Sequence, residues 1–325
     1  MRRLLVCALL VLAASSPSST NATDAPGLRV VLLSDFNGPY GSTSYPPALA
    51  KVMRRVVNEF KPDLFLSAGD VVAGQKLALT DDTRRAMWAS FDRDVTAKLR
   101  AANIPYGFAV GNHDGSSARD ANGRFVFAAD RAALARYWQA RRPPLAFVDD
   151  SRFPFAFSFV HGGVFFLMVD ASSATLQDRA WIETQLSSEA ATSAAMRVVV
   201  GHLPLFGVSE GRSRAGEVLQ GGETLRGLFE RLGVHTYVSG HHAAFYPGRR
   251  GRLNVLASGG IGGRDLLGHP GTARSTVTLM EVRSGEALIR LRTFDADSEA
   301  EIDVATLPPF LNGFGGRVER VSELR

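Results

Sequence analysis

Five short apolar runs in this chain each stop at a residue able to bind a metal ion, and this restricts the fold more than any other feature. Val30-Val31-Leu32-Leu33-Ser34 stops at Asp35, and Leu64-Phe65-Leu66-Ser67-Ala68-Gly69 stops at Asp70. Phe108-Ala109-Val110-Gly111 stops at Asn112-His113-Asp114, Val198-Val199-Val200-Gly201 at His202, and Thr236-Tyr237-Val238-Ser239-Gly240 at His241-His242. Runs of this length without polar alternation read as strands covered on both faces. Donors just past the C-terminal ends of such strands gather along one sheet edge, where open α/β folds hold their active sites. One such strand end is an ordinary helix cap or turn; five together, four with glycine before the donor, are a pattern.

The segments between the runs fit helices and hairpins. Leu49, Val52, Met53, Val56, Val57 and Phe60 recur at helical spacing between Pro47 and Phe60. Met87, Phe91, Val95 and Leu99 form a stripe between Asp81 and Ala101, with Asp81 or Asp82 as the expected cap. Further helices are expected over 130–141 and 177–186. Hairpins are expected at Phe155–Val160 with Val164–Val169, and at Thr276–Val282 with Ala287–Phe294. The loop from Phe206 to Gly222, rich in Gly, Ser and Arg, is a candidate rim of the site. Crossovers first and hairpins later predict an α/β fold of two mixed sheets packed together, with helices outside. No internal repeat or low-complexity linker divides the 325 residues, and 45% hydrophobic content suffices for one large core.

The N-terminus reads as a secretory leader over 1–22: Arg2-Arg3, an apolar stretch from Leu4 to Ala14, then small residues with cleavage between Ala13 and Ala22. That stretch is too short to span a membrane. The single cysteine, Cys7, falls inside it, so the mature chain is expected to need no disulfide, which suits a secreted or periplasmic protein. Asn21-Ala22-Thr23 fits a glycosylation acceptor only weakly so close to the cleavage site. Loss of Arg2 and Arg3 lowers the formal charge from +5 to +3. The densest basic patch, Arg249-Arg250-Gly251-Arg252, reads as a solvated loop rather than a nucleic-acid surface. The main domain is expected over 28–295, followed by an extension over 296–325. No membrane anchor is expected after cleavage, and the oligomeric state is left open.

Asp, Asp, Asn-His-Asp, His and His-His form a set of oxygen and imidazole donors without thiolate, suited to one or two divalent ions: Mn, Zn, Fe, Mg or Ca. The motifs Asp35-Phe36-Asn37, Gly69-Asp70, Gly111-Asn112-His113-Asp114, Gly201-His202 and Gly240-His241-His242 resemble, in type and order, those of the calcineurin-like metallophosphoesterase superfamily. The resemblance runs from about Leu28 to Phe294. It implies a four-layer αββα sandwich and a two-metal centre that hydrolyses small phosphate mono- or diesters with a metal-activated water. It also implies roles. Asp70 resembles the carboxylate that bridges two ions; Asn112, His202 and His241 resemble the other ligands of one ion, and Asp35 a ligand of the other. His113 resembles the residue that protonates the leaving oxygen, with Asp114 as its orienting partner.

Two positions depart from that pattern. The first motif carries Asn37 where the family has His, and the last carries Ala243 where the family has its final His. Asn37 offers a neutral amide oxygen, and His242 stands one residue early. The second ion is therefore expected to be held weakly by Asp35, Asp70 and Asn37, with His242 as a further candidate ligand. Purple acid phosphatases, a branch with a variant first motif, place Tyr three residues after the second Asp, where this chain has Ala73. Arg119, Arg124, Arg212 and Arg214 are candidate phosphate contacts. The alternative is a weakened relative that holds a phosphate ligand or a structural ion without turnover. His113-Asp114 favours the enzyme, because a pure binding module has no use for a leaving-group acid.

Overall fold

The computed structural model describes residues 27–325; the expected leader, with Cys7 and Asn21, lies outside the described residues. The first three apolar runs form parallel strands, Leu28–Leu32, Leu64–Ser67 and Tyr106–Phe108, with Val30 opposite Leu64 and Phe65 opposite Tyr106. Parallel neighbours require long crossovers, and the two predicted amphipathic segments provide them. Pro47–Arg55 continues through a π-helical turn, Val56–Phe60, and stops at Lys61 in the left-handed region. Asp81–Phe91 runs on through Asp92–Thr96 to Ala97–Ala101. Its cap is Thr80, whose Oγ1 accepts from the Thr83 amide at 3.1 Å, rather than Asp81 or Asp82. Both acids lie in the first turn instead, where they complement the helix dipole.

On the other side of Leu28–Leu32, the strands Thr276–Arg283, Leu288–Asp295 and Glu323–Leu324 complete a six-stranded mixed sheet. The second sheet has nine strands. Its parallel centre is Leu253–Ser258, Thr236–Ser239, Met196–Val200 and Val164–Met168. Ala156–His161 and Phe147–Arg152 extend one side; Phe245–Arg250, Gly316–Arg320 and Phe310–Gly313 extend the other. Residues 296–325 thus contribute strands to both sheets.

Side-chain alternation assigns the layers. Val198 and Val200 pack into a core shared with Val30, Leu66 and the helices around Met53 and Phe91. Val199 and Tyr237 face the other way, into a second cluster with Trp181 and Phe229 on helices Arg179–Leu186 and Gly222–Arg231. The result is two mixed sheets face to face with helices on both outer surfaces, as the resemblance implied. Among the described residues no helix is long and apolar enough to cross a membrane. The C-terminal ends of the parallel strands in both sheets meet at one edge of the sandwich, and the donors lie there.

Candidate metal centre

Three of the donors leave their strands through sharp turns. Asp35, Asp70 and His241 have φ of 51°, 57° and 64°, left-handed values unusual for residues other than glycine. Asp and Asn tolerate this region best among side-chain-bearing residues, and their side chains are also ligands. The turns interlock: the Asp35 amide donates to the Gly69 carbonyl at 3.0 Å and the Phe36 amide to the Asp70 carbonyl at 3.2 Å. A side chain at Gly69 would strike the Gly111 backbone, and one at Gly111 would strike Asp70. The glycines before Asp70 and Asn112 are there for close approach of the two turns.

Asn112 is the hub. Its Oδ1 lies 2.7 Å from His202 Nε2 and 2.8 Å from His241 Nδ1, and its Nδ2 donates to Gln75 Oε1, which fixes the amide orientation. The other nitrogen of each ring is committed. His202 Nδ1 donates to the Ala68 carbonyl at 2.7 Å, and His241 Nε2 donates to Glu217 Oε2 at 2.8 Å. Two ring nitrogens and an amide oxygen therefore converge, an arrangement that suits a metal ion among them. Asp70 Oδ2 is 3.4 Å from His202 Nε2. Ligand atoms of Asp70, His202 and His241 lie within 4.8 Å of one another, and all three residues are buried. Asp70, Asn112, His202 and His241 fit one divalent ion.

The electrostatics agree. Burial resists a charge on His202, yet the Asp70 carboxylate, helped by Asp35, raises its pKa to about 9. Burial also opposes ionisation of Asp70, but His202 and His113 hold its carboxyl well below the usual range. His241 is pushed down to about 4 by burial and stays a neutral donor.

The second ion's ligands do not assemble. His242, expected as a candidate ligand, is fully buried with both ring nitrogens spent on backbone: Nδ1 accepts from the Val208 amide at 3.2 Å and Nε2 donates to the Glu217 carbonyl at 3.0 Å. The one-residue offset turns it out of the site. Asn37 donates to the Gly38 carbonyl at 3.4 Å, and Ala243 brings no donor. Asp35 is outside the group whose ligand atoms gather within 4.8 Å, although its charge is felt by Asp70 and His202; its Oδ2 is buried against Gly240 without a hydrogen-bond partner. Burial pushes its carboxyl up to about 7. The residues present do not fit a second ion in the family's manner.

Asp114 also departs from its expected role. Its Oδ2 accepts from the Asp70 and Gly111 amides, both at 2.8 Å, and its Oδ1 from Val71 and Val72 at 2.8 and 3.0 Å. With both oxygens filled, it braces the Asp70 turn and leaves the His113 ring alone. His113 Nδ1 lies 3.2 Å from the Gly74 carbonyl instead, and its backbone amide donates to Asp70 Oδ1 at 2.8 Å. Gly74-Gln75 is backed by a buried pair, in which Asp130 accepts from the Gln75 amide at 2.9 Å and from Arg84 Nε at 2.6 Å.

The centre opens into a cleft of about 640 Å³ lined by Tyr40, His113, Arg119, Ser173, Arg212 and Glu217, among others. Of the four arginines considered from sequence, Arg119 and Arg212 reach this cleft; Arg124 pairs with Asp120, and Arg214 lies exposed beside Glu217. Glu217 was not legible in the sequence. It stands in the loop before Gly222 with no motif, and only the fold brings it under His241.

Fold and site together define a metallophosphoesterase-type centre at the strand ends of a two-sheet sandwich. The model of the calcineurin-like phosphoesterases matches residues 28–245, and the chain belongs to that family. A search of curated protein sequences gave no match. Similar solved structures include a purple acid phosphatase from yellow lupin (Lupinus luteus) seeds, at 16% identity and a TM-score of 0.61, covering 85% of this chain and 52% of that one. GAP50, the anchor in the inner membrane complex of Plasmodium, has 14% identity and a TM-score of 0.55, covering 86% and 88%. A dimetal phosphatase from Danio rerio has 12% identity and a TM-score of 0.52, covering 86% and 99%. These likenesses are of fold. This chain spans about half the length of the lupin chain.

Proposed function

We propose that this protein is an exported, metal-dependent phosphoric ester hydrolase acting on small phosphate mono- or diesters. One observation carries the reading: Asp70, Asn112, His202 and His241 present ligand atoms to a single point beside His113, on the floor of an open cleft. An ion held there would supply a Lewis acid for a phosphoryl oxygen and would make a water more acidic. The remaining work belongs to the chain. Glu217 fixes the His241 tautomer, and the Ala68 carbonyl fixes that of His202, so that both rings aim lone pairs inward. His113, anchored through Nδ1 at Gly74, has Nε2 available to donate a proton to the departing oxygen. A cleft of about 640 Å³ suits a small organic ester. Export rests on the leader pattern over 1–22.

A second reading, binding without turnover, draws support from the missing imidazoles at Asn37 and Ala243. A protein described as an anchor has the same fold. Metal analysis with a mono- and diester screen on one batch of purified protein separates the two. Turnover that depends on bound metal supports the hydrolase; stoichiometric metal with no turnover of any ester sinks it.

A further inference from the structure

The gap in the ligand set and the cations of the cleft lie on the same side. Arg212 Nη1 is 2.9 Å from His241 Nε2, 3.2 Å from Nδ1 and 3.3 Å from Glu217 Oε2. Only Nη1 is engaged in these contacts, leaving the rest of the guanidinium fork for an incoming anion. The backbone amide of Arg264 donates to the Ala243 carbonyl at 2.8 Å, so this second arginine starts from the position where the family's final imidazole is missing. The charges of Arg212 and Arg264 both reach Asp35, the orphaned carboxylate of the incomplete half. Two guanidiniums carry the same formal charge as one divalent ion. A phosphate bound at the complete half needs positive charge on its remaining oxygens; Arg212, in the cleft wall beside His241, is placed to supply it, with the charge of Arg264 close behind.

We propose that this centre works with one metal ion, and that Arg212, backed by Arg264, supplies to the phosphoryl oxygens the charge that a second ion supplies in a two-metal site. This rests on the hydrolase reading for its catalytic meaning, but it is tested by binding. The full chain is loaded with Mn²⁺ and freed of excess. Bound metal is measured by elemental analysis and inorganic phosphate affinity by calorimetry, for wild type, Arg212→Gln, Arg212→Lys, and Arg212→Gln combined with Asn37→His and Ala243→His. One metal equivalent is expected in the wild type and both single variants. Phosphate affinity should fall about 10–100-fold in Arg212→Gln, the size expected for lost charge-assisted hydrogen bonds, and recover in part with Lys. The combined variant should take up a second equivalent and regain affinity.

Two tightly held equivalents in the wild type, no bound metal, or unchanged phosphate affinity in Arg212→Gln would overturn the proposal. If the Gln variant does not fold, Arg212→Lys decides alone, with unchanged affinity counting against. Failure of the hydrolase reading looks different: no ester turns over, while phosphate affinity still depends on Arg212.

Discussion

The two halves of the metal centre share Asp70 and little else. One half has a complete set of inward-facing donors whose outer atoms are tied to Ala68, Gln75 and Glu217. The other keeps Asp35 with a partnerless oxygen, an amide at Asn37 and a methyl group at Ala243. The contrast shows how a ligand set is kept: each donor of the complete half has a second partner that orients it, while one oxygen of Asp35 has none. Both halves retain the left-handed turns, so the backbone is common to them and the side chains make the difference.

Removing Asp70 should have the largest effect on that contrast. Asp70→Ala should lose bound metal and nearly all activity, whereas Asp35→Ala should keep its one equivalent. Elemental analysis of both variants decides, and equal metal loss would mean that the halves are equivalent after all. His113 separates chemistry from binding within the complete half. His113→Ala should retain metal and lose turnover by about 10²–10⁴-fold, with a smaller loss for esters of acidic leaving groups. A loss of the same size for good and poor leaving groups would remove His113 from the proton path.

A smaller effect is expected from pH. The His202 pKa is raised from 6.5 to about 9 in the folded, metal-free protein. Its proton therefore stabilises the fold fully below 6.5, and this contribution disappears as the pH rises through 9. Asp35, raised from 3.8 to about 7, adds a loss of the same sign between those two values, mostly below that window. The chelated protein should show a thermal midpoint that falls between pH 6.5 and 9, and the metal-loaded protein a much flatter profile. A flat profile after chelation would show that no proton replaces the metal. The smallest effect belongs to Ala243, held at φ 47° with no ligand role to justify it. Ala243→Gly should stabilise the fold by about 0.5–1 kcal/mol, because glycine reaches this region without strain. Denaturant unfolding measures it, and a destabilised variant would show that the methyl group packs usefully.

Much of this was legible in the sequence, for identifiable reasons. Runs such as Val198-Val199-Val200 are strands because both faces are covered, and the alternation of Val199 against its neighbours bears that out. Asp70, Asn112, His202 and His241 were legible because each directly follows its strand, where position along the chain determines position in space. The resemblance implies that Asp114 orients His113, but four backbone amides of the neighbouring turns fill both its oxygens, a contact that no residue type or spacing announces. His242 was misread for another reason: it follows its strand one residue later, and its ring turns to Val208 and Glu217. Glu217 and the role of Arg212 depend on how a long loop folds back, and no local pattern encodes that.

The last strands of the chain have a consequence for self-association. Glu323–Leu324 covers the Leu288–Asp295 border of one sheet, and Gly316–Arg320 covers the Phe245–Arg250 border of the other. The four outermost strands are poor templates: Glu323–Leu324, Tyr106–Phe108 and Phe310–Gly313 are two to four residues long, and Phe147–Arg152 carries Asp149, Asp150 and Arg152. A single stretch of polypeptide thus pairs with part of one border strand in each layer and replaces it at the edge with a shorter strand. A chain cut before Phe310 would bare two longer edges at once, and light scattering that rises with its concentration is the expected sign.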